Sequence, residues 1–359
     1  MSRVARKTLL TAGCVALGVA GAAAVAAVMI PTYVADKLSV TPLDIRSSYA
    51  AVTAPGAGGD VLDTRSITSD GPLQVSTGVP LEVRRLVTVE DPSDADRITF
   101  QAAVTVNRLD RDPPLLTASV DRVTIDRRTA ATVEPSGSIQ TTEDAPAQPL
   151  PRTGLQYRFP FGTEKKDYEV FDSTSLATFP AQFVEETEID GLDVYHFRSI
   201  VENYDLSSTT TSAINSVTLP ASKWGLTAAD GVPDPDTSIT MKRYYSNTRE
   251  IYVEPLSGAL VGGEEQPYQY FARDPAVPEV TVFTGEFSLD EAGQAEQIAR
   301  ARDAASKLEW IDRGPVLLWS IAGVTLVLGI ALLVPASRRA VPASGHPVPA
   351  SDRVETAGR

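Results

Sequence analysis

Two long uncharged runs bracket a chain whose middle alternates between apolar and polar positions. Residues 9–30 carry no charge over 22 positions and residues 315–334 none over 20. As helices these runs rise about 33 and 30 Å, against a hydrocarbon core of about 30 Å. Arg3, Arg6 and Lys7 precede the first run, and Arg338 and Arg339 follow the second. Basic flanks stay on the cytoplasmic side. The pattern therefore predicts residues 1–8 and 335–359 in the cytoplasm and residues 31–314 outside the plasma membrane. Gly314-Pro315 predicts a break before the second span, because proline is tolerated in a first helical turn. Trp310 and Trp319 fit interfacial anchors. The first run is too long for the apolar core of a signal peptide, about 7–15 residues, so it is expected to be retained.

Between the spans the period changes to two. Residues 81–89, 97–106 and 117–127 are rich in Val, Ile, Thr and Phe and read as strands. Residues 183–189 and 192–201 flank Asp190-Gly191, a tight-turn pair, and predict a hairpin. In its second strand one face carries Asp193, Tyr195, Phe197, Ser199 and Val201, the other Leu192, Val194, His196, Arg198 and Ile200. Neither face is purely apolar, so the strand is expected to pack partly on both sides. Residues 249–254 and 259–261 suggest a second hairpin about Pro255-Leu256-Ser257-Gly258, and residues 278–288 another strand.

The period returns to helical at 290–312, where Ala295, Ile298, Ala299, Ala301, Ala305, Leu308 and Ile311 recur at three- and four-residue spacing. Ser288 with Glu291 has the spacing of a capping box. Residues 129–151 and 54–60 read as loops. The tail repeats Val-Pro-Ala-Ser at 334–337, 341–344 and 348–351, a composition that cannot build a core. The fold class is thus a mainly β (α+β) ectodomain of mostly antiparallel sheet, residues 31–314, flanked by N- and C-terminal transmembrane helices, with a disordered cytoplasmic tail.

Composition narrows the chemistry. The chain of 359 residues has one cysteine and two histidines, which leaves no intramolecular disulfide and no cysteine-rich zinc site. A formal charge of −14 is split unevenly. The first 30 residues carry +3, whereas the stretch between residues 31 and 334 holds 25 basic against 44 acidic residues. Such a body disfavours nucleic acid as a partner. No G-x-S-x-G, H-E-x-x-H, C-x-x-C or Walker pattern occurs, and the lone ectodomain histidine, His196, sits in a strand between Tyr195 and Phe197. No catalytic residue, metal or cofactor is expected.

One stretch stands out. Residues 159–172 set Phe159, Phe161 and Tyr168 around Lys165 and Lys166, ending at Asp172, in a body otherwise strongly acidic. Aromatic rings beside a cationic pair suit an anionic or glycolipid ligand. These six residues are the candidate ligand-binding set. The other reading is a core strand whose lysines pair with Glu164 and Asp167.

This stretch, with the segment 191–200 (GLDVYHFRSI) and 248–258 (TREIYVEPLSG), resembles the actinobacterial porin-PorA-like family, formerly a domain of unknown function. The resemblance covers roughly residues 1–335 and extends to the layout of span, β-rich body, span and basic tail. It implies a two-span envelope protein and assigns no catalytic residue. Four functions are expectations, one of them an enzyme that acts on envelope carbohydrate through carboxylates. The body binds or relays a lipid, glycolipid or envelope polymer without catalysis; the chain is a scaffold or assembly partner in a membrane complex, aided by Gly13, Ala16, Gly18 and Gly21 in the first span; or it forms a pore, as the family label implies. A lipid-facing barrel needs apolar outward faces. In residues 83–89, however, Arg85 shares a face with Val83, Val87 and Val89, while Arg84 shares the other with Leu86 and Thr88.

Overall fold

A computed structural model describes residues 3–54, 56–209 and 212–337. The expected disordered tail, with His346, lies outside the described residues. The chain forms two compact units. One contains the N-terminal helix and the end of the C-terminal helix; the other is Val34–Ile311.

In the first unit the N-terminal helix Arg3–Met29 is followed by a π-helical turn, Ile30–Val34. Its buried residues Ala16, Ala20, Ala23, Ala27 and Ile30 follow a three-four spacing and so form one seam. The C-terminal helix Glu291–Ser337 meets it there. A Cβ on Gly13 would lie 2.7 Å from the Leu333 side chain, and one on Gly329 would lie 2.9 Å from Leu17. Small residues let the two backbones approach, the usual device where lipid supplies no hydrophobic drive between helices. Gly18 and Gly21 face open space. Val15, Val316, Val324 and Val327 project outward and exposed, which suits hydrocarbon and not water. Both helices are long and apolar enough to cross a membrane. The expected break at Gly314-Pro315 is absent, because the helix continues through Pro315. Spanning helices tolerate a proline whose freed carbonyl finds local compensation.

The second unit is a single 16-stranded antiparallel sheet. Its strands are β1 (Arg46–Thr53), β2 (Gly59–Leu62), β3 (Val75–Val79), β4 (Leu81–Glu90), β5 (Arg97–Arg108) and β6 (Leu115–Asp126). They continue as β7 (Thr132–Gln140), β8 (Gln148–Pro149), β9 (Tyr168–Asp172), β10 (Ala177–Ile189), β11 (Leu192–Asp205) and β12 (Ser216–Pro220). The last four are β13 (Ser238–Glu254), β14 (Ala259–Ala272), β15 (Val280–Thr284) and β16 (Phe287–Leu289). The main path runs β8-β7-β6-β5-β4-β1-β16-β14-β13-β11-β10-β9, with β12 on β13, and β15 leading from β14 through β2 to β3.

The sheet curls until its two edges are bridged by residues 150–156. Leu150 N–H donates to the Gly137 carbonyl at one edge, and Leu155 pairs alongside Val170 at the other. This strap is fixed by a buried ion pair. Arg152 Nη2 lies 2.8 Å from Asp121 Oδ1, both side chains almost wholly excluded from solvent. Gln156 and the Tyr157 hydroxyl donate to Asp121 Oδ2 at 2.8 and 2.6 Å. The Arg152 guanidinium also stacks 4.5 Å above the Phe171 ring.

The clearest sequence signal is realised as β10–β11. Asp190 and Gly191 take φ values of 50° and 79°, the left-handed pair a two-residue hairpin requires. β11 is buried on both faces in part, as its mixed composition predicts. Phe197, Ser199 and Val201 face the sheet interior, while Leu192 and Val194 pack with Val261 under Ile298 and Ala301 of the C-terminal helix.

Two further expectations are corrected. Residues 129–151 are not a simple loop, since 132–140 form β7. Pro135 is accommodated because the β6–β7 register shifts between Val123↔Gly137 and Ile125↔Thr132, so its missing N–H interrupts no ladder bond. The helix cap is Asp290, not Ser288: Asp290 Oδ1 accepts the Gly293 N–H at 2.8 Å, and Ser288 belongs to β16.

Candidate functional site

Curling of the sheet leaves a cavity of about 540 Å³ inside the β body. That volume falls within the roughly 300–1,000 Å³ of small-molecule sites. The cavity exists because strand alternation sends every second side chain inward. From β1 come Tyr49 and Ala51, from β4 Val83 and Arg85, from β5 Val104, Val106 and Arg108. The register places Tyr49 beside Arg85 and Arg85 beside Val104. The strand face that mixes Arg85 with valines therefore points into the cavity. Arg84, on the opposite face, is exposed and pairs with Glu82 at 2.9 Å.

Two apolar clusters wall the cavity. Phe159, Val170, Ile251 and Leu260 belong to one, and Val61, Phe283 and Phe287 to the other. Between them the lining is cationic. Seven arginines (65, 85, 108, 111, 158, 243 and 249) line it against four carboxylates, Asp63, Asp121, Glu250 and Glu265. Two of those carboxylates are committed elsewhere: Asp121 to Arg152, and Glu250 to His196 and Arg198 at 2.5 and 2.7 Å.

The arginines differ in their partners. Arg249 is balanced, with Nη2 3.1 Å from Asp172 Oδ2 and Nε 3.1 Å from Glu265 Oε1. Although burial opposes its charge, Glu265 and Asp172 together push its pKa above the ordinary value. Arg158 donates to Thr41 Oγ1 and to the Ser257 carbonyl and stacks 4.5 Å from the Phe161 ring. With no carboxylate beside it, burial pulls its pKa down to about 10.

Arg85 has a hydroxyl where an acid is usual. Its Nη1 donates to the Tyr49 hydroxyl at 3.0 Å, and its guanidinium lies 5.7 and 5.9 Å from the Tyr49 and Tyr157 ring centroids. Tyr49 does most to hold its charge on, against burial, with Tyr157 and Glu265 assisting. Arg243 donates to Gln269 Oε1, and burial alone pulls its pKa down to about 10. The Nε atoms of both are buried without a hydrogen-bond partner.

The six sequence-selected residues do not converge. Phe159 is buried and lines the cavity. Phe161 lies under Arg158. Tyr168 packs edge-on to Phe159 at 5.3 Å, and its hydroxyl accepts the Glu164 N–H at 2.9 Å. Lys165 and Lys166 are exposed and pair with Glu186 and Glu164. Asp172 is buried, accepting from Ser175 N–H at 2.7 Å and the Tyr245 hydroxyl at 3.0 Å. The cavity arginines were missed because they come from separate strands and loops along the chain, and only Arg243 and Arg249 share a strand. The one available signal was Arg85 among valines. His196 lies outside the cavity, stacked 4.8 Å from Tyr252. Among the described residues no group of histidine, cysteine and carboxylates has the placement of a metal site.

Two helices long and apolar enough to cross a membrane, and a β body enclosing a cavity with a cationic lining, give the layout of a membrane protein. The chain belongs to the porin PorA family, whose model matches residues 12–331. It is similar to a Porin PorA of Corynebacterium amycolatum, 29% identical over 89% of this chain and 95% of that relative. It is also similar to a Porin PorA of Corynebacterium resistens, 27% identical over 87% of this chain and 93% of that relative.

Proposed function

We propose that this chain is a plasma-membrane envelope protein with both termini cytoplasmic, whose extracytoplasmic β body takes a lipid or glycolipid into its cavity without catalysis. The observation that carries this reading is the cavity of about 540 Å³ with two apolar walls and a cationic lining. Apolar clusters suit an acyl chain, and convergent polar groups fix its orientation. The six residues singled out from the sequence enter this reading through Phe159, which forms part of a wall; Phe161, Lys165, Lys166, Tyr168 and Asp172 are proposed to support it or to face a polymer outside. The test is mass spectrometry of molecules that copurify with the intact protein. An acyl-bearing species at near one per chain is expected. Its absence from preparations made without displacing detergent overturns the reading.

Pore formation is the second reading, and the names of the family and of both relatives favour it over lipid binding. In that case the arginine lining gives the passage a preference for anions. Purified protein in planar bilayers then shows discrete, anion-selective conductance. Silent bilayers under conditions where incorporation is verified remove it. An assembly role is a third use of the same anchors, detected by crosslinking in cells.

A further inference from the structure

The surplus of positive charge in the cavity specifies more than an apolar occupant. An unpaired buried charge is costly, so buried charges are ordinarily met by a partner of opposite sign. Arg249 has such partners in Asp172 and Glu265, and Arg108 has Asp110 at 2.8 Å. Among the described residues Arg243 has only the neutral Gln269, and Arg85 only the hydroxyl of Tyr49, as hydrogen-bond partner. Each keeps a buried Nε without a hydrogen bond, as Arg249 also does, so what sets the two apart is the lack of a carboxylate in ion-pair contact among the described residues. Both side chains line the same cavity as the Phe159–Ile251 and Val61–Phe283 walls. Guanidinium groups bind carboxylate and phosphate oxygens through paired N–H donors, and the neighbouring apolar walls accept a hydrocarbon.

We infer that the cavity binds an anionic amphiphile, with a carboxylate or phosphate head met by Arg243 or Arg85 and its chain against the apolar walls. The inference rests on the lipid-binding reading and adds the charge of the ligand. It also explains why a body of such negative overall charge keeps Arg243 and Arg85 inside with no carboxylate in ion-pair contact among the described residues. There they are shielded from water, and the acidic exterior does not compete for them.

The experiment uses the full chain in nanodiscs of zwitterionic lipid, with empty discs subtracted. Binding of a fluorescent long-chain fatty acid is compared with that of its methyl ester, which has the same chain and no charge. The acid is expected to bind at least about tenfold tighter than the ester, the ratio that loss of one charged hydrogen-bonded contact gives. Arg243→Gln or Arg85→Gln should bring the acid to the level of the ester and leave ester binding unchanged. Thermal stability of the empty Arg243→Gln protein should be equal to or above wild type, since the substitution removes a charge without an ionic partner. A merely structural arginine predicts the opposite. If one variant fails to fold, the other carries the comparison.

Lysophosphatidic acid against lysophosphatidylcholine distinguishes a phosphate head from a carboxylate. Displacement by inorganic phosphate or acetate alone at comparable concentration shows a site for the free anion and overturns the amphiphile. Equal binding of acid and ester, unchanged in both variants, overturns the anionic assignment and leaves lipid binding standing. Binding of neither probe overturns the lipid-binding reading itself.

Discussion

At the residue scale, side chains far apart in sequence decide whether the β body closes. Arg152 on the strap and Asp121 on β6 bury opposite charges 2.8 Å apart. Forming such a pair gives little net stability, but breaking it leaves the survivor uncompensated, at about 3–5 kcal/mol. Arg152→Leu is therefore expected to destabilise the body by about 3–5 kcal/mol in denaturant titration. The double change Asp121→Leu with Arg152→Leu should recover a large part of that loss. An Arg152→Leu protein with an unaltered midpoint contradicts the closure. Asp205 provides a pH-dependent counterpart. Burial favours its neutral form, but hydrogen bonds from Lys242 and Ser207 outweigh this and hold its pKa below the ordinary carboxylate value. A depressed folded-state pKa contributes stability that is complete above the unfolded value, about 3.9, and is lost as pH falls through the folded value. The melting temperature of wild type should exceed that of Asp205→Asn most at about pH 6 and converge with it toward about pH 3. A gap that stays constant over this range shows that the carboxylate charge is not what stabilises the turn.

At the element scale, close approach and covering explain which sequence signals were legible. The two helices meet at Gly13 and Gly329, where added side-chain atoms have no room. Gly13→Leu should separate them and lower thermal stability in detergent by about 1–3 kcal/mol. Gly18→Leu, at a position open to the surroundings, should be nearly silent. Equal effects of the two mean that the seam is elsewhere. The small residues of the first span were readable as packing residues, but the sequence did not distinguish Gly13, which touches a partner, from Gly18, which does not. β11 was legible for a similar reason. Its two mixed faces recorded two covers, the sheet interior over Phe197 and the C-terminal helix over Val194. Ile298 is nearly wholly buried in that second cover, so Ile298→Ala should cost about 2–5 kcal/mol in denaturant titration. A loss well below that range means the helix does not pack firmly on the strands. β7 was illegible because its pairing is decided by the register of β6. The sequence Thr132–Gln140 shows proline and glycine, and only the bulge opposite Val123 and Ile125 reconciles them with a strand.

At the scale of the whole molecule, the two long apolar helices and the charge asymmetry could be read directly, whereas the cavity could not. Span length and flanking charge are local properties of sequence. The cavity depends on Tyr49, Arg85, Ser119, Arg243 and Glu265 facing one another, which only closure of the sheet brings about. The same Arg85 that argues against a lipid-facing strand becomes, once inside, part of a binding surface. The remaining whole-molecule question is which side of the membrane holds the β body. Positive charge clusters at Arg3, Arg6 and Lys7 before the first span and at Arg338 and Arg339 after the second, while the intervening region holds 44 acidic residues. Basic flanks resist translocation, whereas a long intervening region crosses largely regardless of its charge, so both ends should stay in the cytoplasm. With Cys14 replaced by serine, a single cysteine introduced by Glu143→Cys in an exposed turn of the body should react with an impermeant maleimide in intact spheroplasts. One introduced by Ser2→Cys should react only after permeabilisation. Reversed labelling would place the body inside the cell, and a body unreactive until the membrane is dissolved would support lipid-embedded strands. Either result removes the geometry on which ligand capture from the outer side depends. The expected result places the β body on the outer side, where envelope amphiphiles are present.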